Sequence, residues 1–162
     1  MPRLSVYVEQ DIAMMYLRPD RKLLFGLIIV SMMLSSKLAF AADVVAEADI
    51  KSVQFVIDSQ ITAFKSGDHT SAYSFAAPNV QQAFPSVDTF IDMVRRGYTP
   101  LFRPSSYFFG RSMLSEGEVL QELIVTDASR QLWQIIYTLS QQKDQSWKVT
   151  NVLMYPYKGT AA

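Results

Sequence analysis

The hydrophobic pattern of this chain changes its period once, near Pro104, and this change constrains the fold more than any other feature. Before Pro104, apolar residues recur every three or four positions, as on one face of an amphipathic helix. After it, apolar and polar residues alternate, as in half-buried strands. A block of helices followed by a block of strands predicts an α+β domain, with the helices packed on one face of the sheet.

The helical block is predicted to begin with one long helix over 43–66, whose apolar face carries Ile50, Val53, Ile57, Ile61 and Phe64. Gly67 is placed to end this helix in the left-handed conformation. Asp68 is placed to cap a second, short helix that ends before Pro78. Residues 79–84 are predicted to add a further turn of helix.

A last predicted helix follows Pro85. Ser86 is a suitable N-cap, and one apolar stripe follows it, made of Val87, Phe90, Ile91 and Val94. Asp92 and Arg96 are spaced for an ion pair on the outer face of this helix. Gly97 is predicted to end it.

Four segments beyond Pro104 are predicted to be strands, at 106–112, 119–127, 132–141 and 146–155. In the third strand, one face carries Trp133, Ile135, Tyr137 and Leu139, and the other carries Gln134, Thr138 and Ser140, with Ile136. Trp147, Val149 and Leu153 are predicted to share a face of the fourth strand. The links are short, so neighbouring strands are predicted to be antiparallel.

Residues 1–41 are predicted to be a signal peptide. Arg21 and Lys22 precede an apolar run of about a dozen residues, shorter than the roughly 20 of a membrane-spanning helix, and Ala39-Phe40-Ala41 supplies the cleavage site before Ala42. The alternative is an uncleaved signal anchor. Residues 1–13 lack a compact basic character, which favours translation from Met14 or Met15.

Cleavage would leave residues 42–162 as a single domain in the periplasm, or secreted, by Gram-negative-type export, with membrane contact during export alone. This part has twelve acidic and ten basic residues, a net charge near −2, which indicates no nucleic-acid partner. The chain has no cysteine, so disulfides and thiolate chemistry are excluded. His69 is the sole histidine and is expected to be an exposed residue at a helix start. No metal site or cofactor is predicted.

Polar residues cluster at the end of the helix that contains Gly97. Arg95, Tyr98 and Arg103, with Arg96, could bind a carboxylate through forked hydrogen bonds. Alternatively, Arg95 and Arg96 complement the negative end of the helix and pair with Asp92, while Arg103 satisfies loop carbonyls. We expect Arg95, Tyr98 and Arg103 to be the candidate ligand-binding residues.

Candidate catalytic residues are Asp127, Tyr73 and Tyr137. An acid at a strand end near tyrosines could transfer protons in an apolar pocket, where burial would raise its pKa. Alternatively, Asp127 hydrogen-bonds its own turn. The sequence shows no paired acid or base at a matching spacing, and the tryptophans are most simply core residues.

A series of short motifs resembles one bacterial family. It runs through Gln60-x-x-Ala63-Phe64, Gly67-Asp68, Ala72-Tyr73-x-Phe75-Ala76-x-Pro78, Phe84, Phe90, Met93-Val94-Arg95-x-Gly97-Tyr98-x-Pro100, Arg103-Pro104, Phe109-Gly110, Gln121, Val125-x-Asp127, Trp133, Tyr137 and Ser146-Trp147. Together these motifs resemble the family called domain of unknown function 4864 and, more distantly, the nuclear-transport-factor-2-like, or cystatin-like, superfamily. The turns at 128–130 and 144–146 lack the glycine that hairpins of this family often have.

The resemblance implies a curved sheet of about four antiparallel strands wrapped around helices as a cone with an apolar pocket. Some superfamily members are isomerases, dehydratases or cyclases, and many others bind ligands or dimerise, so the fold alone gives no function. We therefore predict an exported, non-catalytic module that binds a small apolar or amphipathic ligand or a protein. The alternatives are an isomerase- or dehydratase-type enzyme that uses an acid or tyrosine of the pocket, and a structural homodimer.

Overall fold

The computed structural model describes residues 45–159, which form five helices followed by a four-stranded sheet. The predicted signal peptide, its cleavage site at Ala41 and Ala42, and the alternative starts at Met14 and Met15 lie outside these residues. Among residues 45–159, none of the helices combines the length and the hydropathy of a membrane span. The predicted α+β order of helices before strands is confirmed.

The helices are α1 (Glu47–Ser66), α2 (His69–Ser74), α3 (Pro78–Ala83), α4 (Val87–Gly97) and α5 (Thr99–Phe102). Their predicted caps are present. Gly67 adopts φ 75° and ends α1, Asp68 accepts a hydrogen bond from the Ser71 N–H, and Ser86 forms a capping box with Thr89. These caps satisfy backbone groups that the first and last turns would leave unpaired.

The predicted end of α4 at Gly97 is confirmed, but the helix does not end through a left-handed glycine. Gly97 is the last helical residue, and the backbone turns away at Tyr98, with φ −133°, while the Tyr98 N–H still donates to the Val94 carbonyl over 2.8 Å. A glycine is not needed for left-handed geometry at this end, because φ at Tyr98 is negative. The short helix α5, with Pro100 in its first turn, follows at once and was not predicted.

The strands are β1 (Ser106–Ser115), β2 (Glu118–Thr126), β3 (Leu132–Gln141) and β4 (Trp147–Pro156), and they form one antiparallel sheet in the order β1-β2-β3-β4. β1 extends three residues beyond its prediction. The reason is a two-residue turn in which Glu116 and Gly117 both have positive φ, as in a type I′ hairpin. In the other two turns Arg130 and Gln145 have positive φ without being glycine.

The prediction that Leu153 shares a face with Trp147 and Val149 is wrong, because β4 contains a bulge. Leu139 pairs with Val149 and Thr138 with Asn151, so Thr150 is an extra residue. One extra residue exchanges the two faces of the strand beyond it. Val152 and Met154 consequently pack on the core, and Leu153 is exposed on the outer face.

A second bulge lies in β1, where Gly110 and Arg111 together oppose Glu122. The fully buried side chain of Gln121 pairs with polar groups of this bulge. Its amide nitrogen lies 3.2 Å from the Gly110 carbonyl oxygen, and its Oε1 accepts from the Ser112 hydroxyl over 2.6 Å. Buried polar side chains in native proteins are paired in this way. Gln54 on α1 also donates to Gln121 and links the helix to the sheet.

Two apolar clusters hold the helices and the sheet together. In the first, α1 packs on the inner face of the sheet, and its members include Val53, Ile57, Ile61, Leu123, Ile135 and Leu139. The second joins the end of α1 to α2, α4 and α5 around Phe64, Phe90 and Phe102. Phe64 stacks on Phe90 with ring centroids 6.2 Å apart. Full burial of each such side chain contributes roughly 1.5–3 kcal/mol.

Candidate functional site

A cavity of about 430 Å³ lies where the two apolar clusters meet. Its walls come from α1, α3, α4, α5 and the strands β3 and β4, and Phe64 and Val94 of one cluster and Leu101 and Val149 of the other take part. Its size falls in the range of small-molecule sites, roughly 300–1,000 Å³. The structure therefore contains the apolar pocket that the family resemblance implied.

The edge of β4 that does not pair with β3 forms one wall of this cavity. It is hydrogen-bonded to the helical part of the chain. The Val149 N–H donates to the Phe75 carbonyl over 2.9 Å, and the Ala77 N–H donates to the Val149 carbonyl over 2.8 Å. Asn79 and Tyr98 extend this pairing with their side chains, which donate to the carbonyls of Thr150 and Val152. An edge strand that would otherwise present unpaired groups is thus covered.

The β4 bulge shapes the same wall. Val149, Thr150, Asn151 and Val152 all line the cavity, although only alternate residues of a regular strand face one side. The extra residue lets four consecutive positions reach the cavity. The bulge therefore places polar Thr150 and Asn151 beside apolar walls.

The described residues that line the cavity carry no charged side chains. The described residues that border the cavity include no Asp, Glu, Lys, Arg or His; its polar members are Gln60, Asn79, Tyr98, Tyr137, Thr150 and Asn151. Asn79 and Asn151 are exposed, whereas Gln60 and Tyr137 are buried. A charged ligand would find no counter-charge here, so desolvation would oppose its binding.

Tyr137 borders the cavity, but its hydroxyl is fully enclosed and has no hydrogen-bond partner in the described residues. Burial raises its pKa well above the usual range, and the charges of Tyr107 and Tyr98 act in the same direction. The side chain therefore stays protonated at neutral pH. It cannot serve as a base in this environment.

Asp127 does not line the cavity; it organises the β2–β3 turn. Its Oδ1 accepts from the Ser129 N–H, the Ser129 hydroxyl and the Gln131 N–H, over 2.7 to 2.9 Å. The expectation of a raised pKa is wrong. Hydrogen bonds from Ser129 and Trp133 lower the pKa of Asp127, because they stabilise the carboxylate.

Of the other two candidate tyrosines, Tyr98 reaches the cavity and Tyr73 does not border it. The Tyr73 hydroxyl donates to the Phe84 carbonyl over 2.7 Å and ties α2 to the end of α3. The Tyr98 hydroxyl donates to the Val152 carbonyl over 2.9 Å. Both hydroxyl protons are therefore engaged with backbone groups.

Arg95 and Arg103 both approach one aromatic ring that lies outside the cavity lining. Their guanidinium carbons are 5.4 Å and 6.0 Å from the centre of the Phe102 ring. Arg95 is exposed and lies 3.8 Å from the Asp92 carboxylate, and Arg96 approaches the same carboxylate at 3.4 Å. Cation–π contact and pairing at the helix end account for these positions. Anion binding by the two arginines remains a prediction.

His69 is the first residue of α2 and is half-buried, beside the Asp68 cap. Within residues 45–159, no group of three or more His, Asp or Glu side chains is placed to hold a metal ion. The candidate site of this part of the chain is therefore the uncharged cavity.

Comparison with protein families finds a match over residues 46–162 to a family described as "Domain of unknown function (DUF4864)". The chain belongs to this DUF4864 family. A crystal structure of an NTF2-like protein of unknown function from Shewanella baltica OS155 is similar, with 10% sequence identity and a TM-score of 0.48. The similarity covers 70% of this chain and 99% of that one. Comparison with curated proteins finds none that matches.

Gln60 was not among the functional residues predicted for this DUF4864 domain. Gln60 lies on the apolar face of α1, three residues after Ile57 and four before Phe64, and only 3% of it is exposed. A polar residue on an apolar helical stripe is the signal that could have identified it. It lines the cavity together with Phe64.

Proposed function

We propose that this chain is a non-catalytic binding module whose cavity holds a small, uncharged, apolar or amphipathic molecule. The observation that carries this proposal is the absence of charged residues from the lining of the cavity in the described chain. Apolar walls with a few polar groups are typical of small-molecule sites. This composition suits binding through burial of apolar surface.

The isomerase- or dehydratase-type alternative is less well supported. Such a reaction needs a group that accepts a proton within reach of the substrate. Asp127 lies in a turn with its pKa lowered, and the buried Tyr137 has its pKa raised. Neither Asp127 nor Tyr137 is therefore suited to accept a proton from a substrate in the cavity.

Binding of N-phenyl-1-naphthylamine, an uncharged apolar dye that fluoresces when it leaves water, tests the proposal. The purified domain should bind the dye. Ala83→Trp places a large side chain at an exposed position of the lining and should weaken binding at least tenfold. Ala128→Trp, in the exposed β2–β3 turn, is the matched control. Equal binding by both variants, or none by the unaltered protein, would contradict the proposal.

A second candidate function is self-association through the outer face of the sheet. Phe108, Met113, Leu153 and Tyr155 are between 43% and 61% exposed there. Phe108 and Tyr155 lie in one row across the sheet, with Ile124 and Gln134 between them. Exposed apolar patches of this kind often mark interaction surfaces. The apolar area of this outer face was predicted to come from Ile136. Leu153, which pairs with Ile136, adds to that area.

Sedimentation velocity tests this second candidate. Leu153→Lys should convert a dimer to monomers, because a charge would be buried in the interface. Phe55→Lys is the matched control, since Phe55 is 69% exposed but lies on α1. A monomer at all concentrations in the unaltered protein would eliminate this function.

We also infer from the leader sequence that the domain acts after export to the periplasm or the medium. The support is the order of basic residues, apolar run and small-residue cleavage site over 21–41. N-terminal sequencing of the exported protein should give Ala42 as the first residue. A first residue far from Ala42, or retention of the leader, would contradict this inference.

A further inference from the structure

The orientation of the Gln60 side-chain amide is fixed by one buried hydrogen bond. Its Nε2 donates to the backbone carbonyl of Ala72 over 3.1 Å, and both residues are buried. A carbonyl oxygen can only accept, so the group that faces Ala72 must be the NH₂ end of the amide. The Gln60 Oε1 atom therefore points away from Ala72.

This oxygen has no donor in the described part of the chain. No residue of 45–159 donates a hydrogen bond to Gln60 Oε1, although only 3% of the residue is exposed. Only the Tyr137 hydroxyl is both fully enclosed and unpaired among the described side chains. Gln60 Oε1 thus keeps access to open space, and the open space that Gln60 borders is the cavity.

Two other polar groups of the lining already donate to backbone carbonyls, and the remaining amide, on Asn151, belongs to an exposed residue. The Tyr98 hydroxyl donates to the Val152 carbonyl, and the Asn79 amide donates to the Thr150 carbonyl. The Tyr137 hydroxyl is enclosed behind the wall. The buried part of the cavity consequently offers an acceptor without a matching donor, and native proteins rarely leave such a group unpaired.

We infer that the ligand of this cavity is an uncharged molecule that donates a hydrogen bond, through an O–H or N–H group at its buried end, to Gln60 Oε1. This inference rests on the proposed binding function. A carboxylate would bring a negative charge toward an acceptor oxygen, and an ammonium group would lack a counter-charge. Neutral alcohols, phenols and ring N–H compounds of apolar character meet the requirement.

Two pairs of probes test the inference on the unaltered domain. 4-Ethylphenol is compared with 4-ethylanisole, and indole with 1-methylindole, because in each pair a methyl group blocks the donor and changes little else. Dissociation constants are measured by NMR titration. The donor of each pair should bind about three- to tenfold more tightly, as for one net hydrogen bond.

Gln60→Met removes the acceptor at similar volume and should abolish the preference within each pair. Gln54→Met is the matched control: Gln54 is also on α1 and makes a side-chain hydrogen bond, but it does not line the cavity. This control should keep the preference. Gln60→Met could fail to fold, because the Ala72 carbonyl loses its partner. In that case the two probe pairs on the unaltered domain still decide whether the cavity prefers a hydrogen-bond donor.

The outcomes separate this inference from the proposed function. If no probe binds, the binding function itself fails. If donor and blocked probe bind equally, the cavity binds ligands but the role of Gln60 is wrong. A preference that survives in Gln60→Met would likewise overturn the assignment to Gln60.

Discussion

The indole N–H of Trp133 donates a hydrogen bond to Oδ2 of Asp127 over 2.9 Å, while Oδ1 of the same carboxylate binds the intervening turn. One carboxylate therefore links the beginning of β3 to the turn that precedes it. Charge-assisted hydrogen bonds of this kind are stronger than neutral ones. The residue that the sequence offered as a catalytic acid is better explained as the organiser of a hairpin.

Asp127→Asn should make the stability of the domain less dependent on acid pH. The pKa of Asp127 is lowered in the folded state from 3.8, so its contribution is present above the unfolded pKa and is lost as the pH falls through the lower, folded value. Urea unfolding at neutral pH and at acid pH, in both proteins, measures this. An identical loss of stability on acidification in the variant would contradict the assignment.

Tyr137→Phe should raise the free energy of unfolding by about 1 kcal/mol, because it removes a buried hydroxyl that has no partner. Tyr98→Phe should lower it by about 1 kcal/mol, since that hydroxyl donates to the Val152 carbonyl. Chemical denaturation of the two variants measures both effects. A destabilised Tyr137→Phe would show that the hydroxyl has a partner.

Gly67→Ala and Gly97→Ala should change stability in opposite directions. Gly67 has φ 75°, which costs an L-residue roughly 1–2 kcal/mol, so this variant should be less stable by about 1 kcal/mol. Gly97 is helical and nothing lies within 4 Å of an added Cβ. That variant should gain about 0.5 kcal/mol. Thermal and urea unfolding provide the comparison.

Val152→Lys and Leu153→Lys test the β4 bulge. Val152 packs on the core and should lose about 1–3 kcal/mol on substitution, whereas the exposed Leu153 should change by less than about 0.5 kcal/mol in the monomer. A regular strand without the bulge requires the reverse order. The free energies of unfolding of the two variants therefore distinguish the two registers.

The sequence predicted the fold well where local pattern and tertiary structure agree. The bounds and the two faces of β3 follow from strict alternation, and Gly67, Asp68 and Ser86 mark helix ends through their own backbone chemistry. Leu153 was misplaced because a bulge depends on pairing with β3. No local pattern reveals that pairing.

The candidate site was harder to predict. Sequence interpretation favours charged and titratable residues, and Arg95, Arg103 and Asp127 were selected for this reason. The cavity instead depends on how two apolar clusters meet, and its most informative group is the uncharged Gln60. Whether a buried amide oxygen has a donor is a property of the packed structure, which composition and spacing do not contain.

The extra residue in β4 also has an evolutionary consequence. The residues of this strand that face the core are Trp147, Val149, Val152 and Met154, with two residues instead of one between Val149 and Val152. If Thr150 were deleted, inward and outward residues would alternate regularly, and all four would still face the core. A deletion in the strand outside Thr150 and Asn151 would exchange the faces. Homologous chains that gain or lose one codon at this position can therefore differ in which residues of β4 line the cavity, while the inward face of the strand stays the same.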